Sequence, residues 1–289
     1  MSKKKRNRRS ATVSVLFIVV VALIWIAGYY QPRPQRASDK TETSVPVSGE
    51  VAKQTVLPGG ERYALAQVTN GQREQLIEHV GYTVSYNPQW RIPNWVAYML
   101  TADEVRGSEE RSNHFRPDPM VQGDPVVTKD YSNSGYDRGH MAPAADMKWS
   151  EQAMRESFYM TNICPQHHSN NAGDWKDLEE LVRDLAMQYD SIYVVCGPLV
   201  DDPSRTIGSE RKIVVPGAFY KALLRRTSHG WTSIAFRMPN APGNRPLMTY
   251  MLPVDSIEQE AGIDLFCALP DSVADLIESD YSIADWTVR

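Results

Sequence analysis

A chain of 289 residues, 42% hydrophobic and 23% charged, has the composition of an ordinary globular protein with room for one sizeable domain, which excludes a chain disordered throughout. A formal net charge of −4 argues against a surface that holds polyanions by bulk charge. Three scattered cysteines, Cys164, Cys196 and Cys267, include no C-x-x-C pair, so they exclude a disulfide framework and read as buried free thiols.

Six basic residues, Lys3, Lys4, Lys5, Arg6, Arg8 and Arg9, precede an uncharged, mostly apolar stretch from Ala11 to Tyr30. About 20 such residues cross the hydrocarbon core of a bilayer, and Trp25, Tyr29 and Tyr30 suit its interface. The expectation is a cytoplasmic basic segment at 1–10 and one transmembrane signal anchor at 11–30. The rest of the chain then lies outside a bacterial cell membrane, periplasmic or extracellular. A cleaved signal peptide competes, but the apolar stretch is long for one and no small-x-small cleavage site follows. Residues 31–75, rich in Pro, Ser, Thr, Gln and charge, read as a flexible linker, leaving 76–289 as the folded domain.

Within that domain His79-Val-Gly-Tyr-Thr-Val-Ser-Tyr86 alternates like a strand, and Trp95 to Leu100 is a second candidate. Ser150 to Met160 reads as a helix. Asn171 to Tyr189 is the clearest helix, with Leu178, Leu181, Val182 and Leu185 on one stripe. Short strands follow at 192–196, 212–215, 219–224 and 233–238, then a helix start at Asp255-Ser-Ile-Glu258 with Gly262 near its end. Strands and helices in irregular order predict an α+β domain with a mixed or antiparallel sheet.

Chemistry-bearing residues gather in two segments. In Gly135-Tyr-Asp-Arg-Gly-His-Met-Ala-Pro143 a cation, a glycine and an imidazole lie within three residues. Phosphodiester hydrolysis uses such parts: an arginine to offset phosphate charge, a histidine to take a proton from water, a glycine to let the backbone approach closely. The second segment, Thr161 to Glu179, is a polar loop opening onto the strongest helix. Asn171 there is either an oxygen ligand for a hard cation or the N-cap of that helix. Glu179 lies eight residues on, about 12 Å along a regular helix, too far to share an ion directly.

Taken together, residues 79–269 resemble the DNA/RNA non-specific endonuclease family, the ββα-metal nucleases. The resemblance rests on Asp137-Arg-Gly-His140, Asn162-Ile-Cys-Pro-Gln166, and Asn171 with Trp175, Leu178 and Glu179 at the family's spacing. Pro93-Asn-Trp-Val-Ala-Tyr98, Gly197-Pro-Leu199 and Arg237-Met-Pro-Asn-Ala-Pro242 flank them. It implies a ββα-metal active-site motif in which His140 is the base that activates water. Asn171 is then the direct protein ligand of Mg²⁺, with Mn²⁺ as a substitute ion, and Glu179 an outer carboxylate. Arg138 and Arg111 correspond to phosphate-contacting arginines, and Asn162 to a residue supporting the histidine's surroundings. DNA and RNA are the implied substrates and 5′-phosphates the implied ends; a homodimer is compatible with the family. A neutral His140 is required, so activity is expected to fall below about pH 6 unless its pKa is shifted.

Other residues take plainer readings. His167 and His168 lack the spacing of a zinc pair and read as solvated loop residues. Trp175 reads as core rather than as a base-stacking platform. With the six N-terminal basic residues set aside the remainder carries −10, so nucleic acid requires a local cleft that Arg106, Arg111, Arg116, Arg138 and Lys148 can build. Two rivals remain: a non-catalytic nucleic-acid-binding or tethering module, against which His140, Asn171 and Glu179 all stand intact, and a phosphodiesterase acting on another diester.

Overall fold

The computed structural model describes residues 65–288. The expected basic segment 1–10, membrane helix 11–30 and residues 31–64 of the linker lie outside the described residues. In chain order the first elements are β1 (Gln67–Val68), β2 (Gln75–Glu78), β3 (Thr83–Asn87), β4 (Ile92–Thr101), α1 (Ala102–Val105) and β5 (Asp137–His140). Next come α2 (Glu151–Glu156), β6 (Ile163–Gln166), α3 (His168–Asn171), α4 (Asp174–Tyr189), β7 (Ser191–Leu199), β8 (Thr206–Ile207) and β9 (Ile213–Val214). The last are β10 (Ala218–Thr227), β11 (Gly230–Pro239), β12 (Met251–Leu252), α5 (Val254–Ala261), β13 (Ile263–Asp264) and α6 (Asp271–Ile277).

Seven strands in the order β2-β3-β4-β7-β10-β11-β12 form the central sheet, and every neighbouring pair is antiparallel. This decides between the two expected sheet types within an α+β fold. The middle strands read as apolar runs because both of their faces are covered. On β4, Val96, Tyr98 and Leu100 pack with Trp175, Leu178, Val182 and Leu185 of α4. Trp95 and Ala97 point the other way, into a second core with Ile257 of α5 and Phe266. A separate ribbon of β5 and β6, followed by α3 and α4, carries the chemistry-bearing segments.

The structure corrects several local expectations. Of the strand expected over 79–86 only 83–86 is strand, within β3; 79–82 is the turn of a hairpin between β2 and β3, with His79 N donating to Tyr82 O at 2.8 Å. Glu156 fixes that turn by accepting Val80 N at 2.8 Å. The helix at 150–160 begins as expected, with Ser150 as its N-cap, but stops at Glu156 and gives way to a 3₁₀ turn at Met160–Asn162. The long helix does not begin at Asn171. Gly173 separates α3 from α4, and a side chain there would come within 2.5 Å of Ser169 O. Asn171 is therefore the last residue of a short helix, not the N-cap of a long one. The described part of the expected linker, residues 65–75, instead belongs to the fold: Ala66 is buried, and β1 pairs with β13. Cys164 and Cys196 are buried free thiols, whereas Cys267 is exposed.

Candidate active site

The β5–β6 ribbon sets Asp137, Arg138, Gly139 and His140 opposite Gln166, Pro165, Cys164 and Ile163. Gly139 is needed for space: a Cβ there would lie 2.0 Å from Gln166 Oε1 and 2.6 Å from Gln166 Cβ. The backbone after His140 is held by Asn162, whose Oδ1 accepts Ala142 N at 2.9 Å. Its Nδ2 donates to Ala142 O at 2.8 Å and Ser157 O at 2.9 Å. Trp175, a core residue as expected, also donates Nε1–H to His140 O at 3.2 Å.

His140 is buried between two aromatic rings, with Phe115 at 5.3 Å and Phe158 at 4.9 Å between centroids. Each ring carries an arginine. Arg138 lies over Phe115 at 4.7 Å, and Arg111 lies over Phe158 at 5.2 Å. The loop bearing Arg111 is tied down nearby, where Arg116 N donates to Phe158 O at 3.1 Å. Burial, reinforced by the Arg111 charge, holds the His140 imidazole down to about 3 from an ordinary 6.5. The ring is thus neutral, the form a base requires, well below the acid limit expected at pH 6. Among the described residues its buried Nε2 has no hydrogen-bond partner, so it is able to accept from a water or a reacting hydroxyl.

Asp137 was not singled out from sequence, yet it organises the polar side of the ribbon. Its Oδ2 accepts Asn171 Nδ2 at 2.9 Å and lies 2.8 Å from His168 Nδ1. His168 is exposed, as a loop histidine should be, but it is partnered. Because a carboxylate only accepts, this contact fixes which end of the Asn171 amide is nitrogen and leaves Oδ1 as the acceptor end. Asn171, Asp137, Arg138 and Phe115 line a cavity of about 270 Å³, and Phe115 also touches His140.

Glu179 lies on α4, half-buried, and makes no ion pair among the described residues. Burial pushes its carboxyl up to about 8 against the pull of Lys221, with Asp146 pushing further up. The arginine beside it is engaged elsewhere: Arg183 binds Asp146 at 2.9 Å, and Asp146 also accepts Tyr98 Oη at 2.8 Å. Of the expected basic cluster, Arg111 and Arg138 converge on His140 through the phenylalanines. Arg106 is instead paired with Asp103 at 2.7 Å. Asp137, Phe115 and Lys221 were not found from the sequence. Asp137 sits inside the quoted motif, whereas nothing local distinguishes Lys221 or Phe115.

A family model described as DNA/RNA non-specific endonuclease matches residues 61–272. The chain belongs to the DNA/RNA non-specific endonuclease family. Among similar proteins, the mitochondrial nuclease EXOG of Danio rerio is 37% identical over 207 residues, covering 66% of this chain and 60% of that protein. Mitochondrial endonuclease G of Homo sapiens is 34% identical over 203 residues, 65% of this chain and 68% of that protein. This member of the endonuclease family therefore spans less than two thirds of the zebrafish relative. A crystal structure of an EndoG/EndoGI complex, described as showing the mechanism of EndoG inhibition, matches with a TM-score of 0.64 at 30% identity. The match covers 70% of this chain and 89% of that one. These relatives are named as mitochondrial nucleases, which corrects the expected bacterial cell-membrane location. Among the described residues no helix is long and apolar enough to cross a membrane.

Proposed function

We propose that this chain is a divalent-metal-dependent endonuclease that hydrolyses phosphodiester bonds of DNA and RNA without sequence preference, leaving 5′-phosphates. The catalytic part is the folded domain assigned to 76–289, extended by the packed residues from 65 onward. The observation that carries this reading is a neutral, buried His140 with an unpartnered Nε2, set between two aromatic rings that each hold an arginine. In this scheme His140 Nε2 takes a proton from the attacking water. Arg138 and Arg111, both exposed, offset the charge that builds on the phosphate. Contacts to phosphate carry no sequence information, which supports cleavage without sequence preference.

The donor set fits a hard cation such as Mg²⁺, which takes few protein oxygens and keeps several waters. Asn171 Oδ1 would hold it, because the amide nitrogen is committed to Asp137. Glu179, whose carboxyl is pushed up by burial, would become ionised in the presence of a nearby dication and serve it from outside the first ring of ligands. When bound, the ion supplies Lewis acidity toward the phosphate and the leaving 3′ oxygen. Mn²⁺ would substitute.

The test compares duplex DNA, single-stranded DNA, RNA and a small phosphodiester with the full chain and Mg²⁺, and identifies the ends formed. Cleavage of the three nucleic acids to 5′-phosphorylated products is expected. Turnover of the small diester alone would transfer the site to another substrate class, and binding without cleavage would make the chain a tethering module.

A further inference from the structure

Lys221 is the one lysine among the large, fully buried side chains of the described residues, at 0% exposure in the middle of β10. Lysine is almost never fully buried unless paired, because removing an ammonium from water costs several kcal/mol. Here no carboxylate of the described residues lies within ion-pair distance, although Glu179 and Asp146 both feel its charge. What the ammonium does touch is specific. Its Nζ donates a long hydrogen bond, 3.4 Å, to Met141 O, and it sits 4.6 Å from the centre of the Trp175 ring. Trp175 in turn donates to the preceding carbonyl, His140 O, at 3.2 Å. Cys196, opposite Lys221 in the sheet register, places its thiol 3.3 Å from Met141 O as well.

We propose that Lys221 and Trp175 are positioning residues for the base, clamping the consecutive carbonyls of Met141 and His140 from the sheet and from α4 so that the imidazole is presented at a fixed place. This rests on His140 being the base. Neither side chain reaches a substrate; both act through the peptide that carries His140. The clamp ties the end of β5 to α4 and β10, which already pack on each other through Trp175 and Phe219, at the residue where placement matters most. It also gives a reason for an ammonium at a site where packing alone would favour a hydrophobe of similar length. A buried charge replaced by such a hydrophobe often leaves stability unchanged or higher. Retained stability is therefore the expectation for Lys221→Met, and a positioning role adds lost turnover, whereas an ammonium needed only for the fold would show as lost stability with turnover per folded molecule unchanged.

The experiment uses the full chain with Mg²⁺ and plasmid DNA, comparing wild type, Lys221→Met and His140→Ala, and follows kcat, KM, the melting temperature and the ring ¹⁵N shifts of His140. For Lys221→Met the expected result is a melting temperature at or above that of wild type, a displaced His140 resonance and an unchanged KM. Its kcat should fall by about 10- to 100-fold, the scale of a misplaced catalytic group. A folded Lys221→Met whose His140 resonance is that of wild type overturns the proposal whatever its kcat, because loss of the ammonium also acts on the Glu179 carboxyl. If wild type itself does not cleave, the nuclease reading fails separately, and the His140 resonance alone decides the clamp: displaced supports it, unmoved overturns it. If Lys221→Met does not fold, Trp175→Phe serves, since it keeps a ring under Lys221 and deletes only the donor to His140 O. Its kcat is expected to drop by about tenfold with KM unchanged; wild-type kcat overturns the clamp.

Discussion

Gly139→Ala tests the ribbon that presents His140. The new methyl would lie 2.0 Å from Gln166 Oε1 and 2.9 Å from its Cδ, contacts the amide could escape by rotating. It cannot escape the third, 2.6 Å to Gln166 Cβ, because that carbon is fixed to β6, and Gln166 is fully buried. Relief requires β5 and β6 to separate, and overpacking of this kind costs about 1–3 kcal/mol. In a domain of this size each kcal/mol lowers the melting temperature by about 2–4 °C, so calorimetry should show a clear drop. Turnover should fall further than stability does, by about 100-fold, since Arg138 and His140 are the immediate neighbours. Because the Gln166 amide makes no hydrogen bond among the described residues, pairing Gly139→Ala with Gln166→Gly should recover part of both losses. A Gly139→Ala protein that melts and cleaves like wild type would refute the steric account of this glycine.

Asn162→Ala should destabilise the chain by about 3 kcal/mol, because three buried hydrogen bonds to the backbone after His140 are lost together, and chemical denaturation measures it. Arg183→Met leaves the buried Asp146 carboxylate without its ion pair and should cost about 3–5 kcal/mol in the same assay. For His140 the folded value, about 3, lies below the ordinary 6.5, so its contribution to stability is complete above 6.5 and is lost as pH falls toward 3. In that window wild type should lose up to about 1.4 kcal/mol per pH unit more than His140→Gln, and parallel pH–stability curves would contradict the burial of a neutral ring. Glu179 has the opposite sign. Its folded value, about 8, lies above the ordinary 4.5, so the folded state holds the extra proton and stability falls as pH rises through that interval. Glu179→Gln should flatten this decline, and an unchanged slope would count against the carboxyl's burial.

Local pattern disclosed those parts of the fold whose cause is local. The stripe on α4 and the apolar run of β4 were visible because one or both faces of each element are buried in the cores on the sheet. The Asp137–His140 and Asn162–Gln166 segments were visible because function confines several residue types to a short stretch, and the structure pairs them as β5 and β6. Most of the failures have non-local causes. The hairpin turn at 79–82 is capped by Glu156, far along the chain. β1 looked like linker because its strand partner among the described residues, β13, comes from the opposite end of the domain. The break at Gly173 was missed because the short polar helix α3 abuts α4 with only Ala172 and Gly173 between them, and with it went the geometry assumed between Asn171 and Glu179. Lys221 carries no signal at all in a strand of apolar neighbours; only the fold brings it under Met141.

The central claim, a metal-dependent nuclease with His140 as its base, is tested most directly by plasmid DNA and RNA cleavage with the full chain. The reaction is run with Mg²⁺ or with chelator, for wild type and His140→Ala. The account predicts cleavage that requires the ion and is lost in the variant, which should remain folded because removing an imidazole with no partner on Nε2 breaks no hydrogen bond there. Cleavage by wild type in chelator, or by His140→Ala at the wild-type rate, would contradict it.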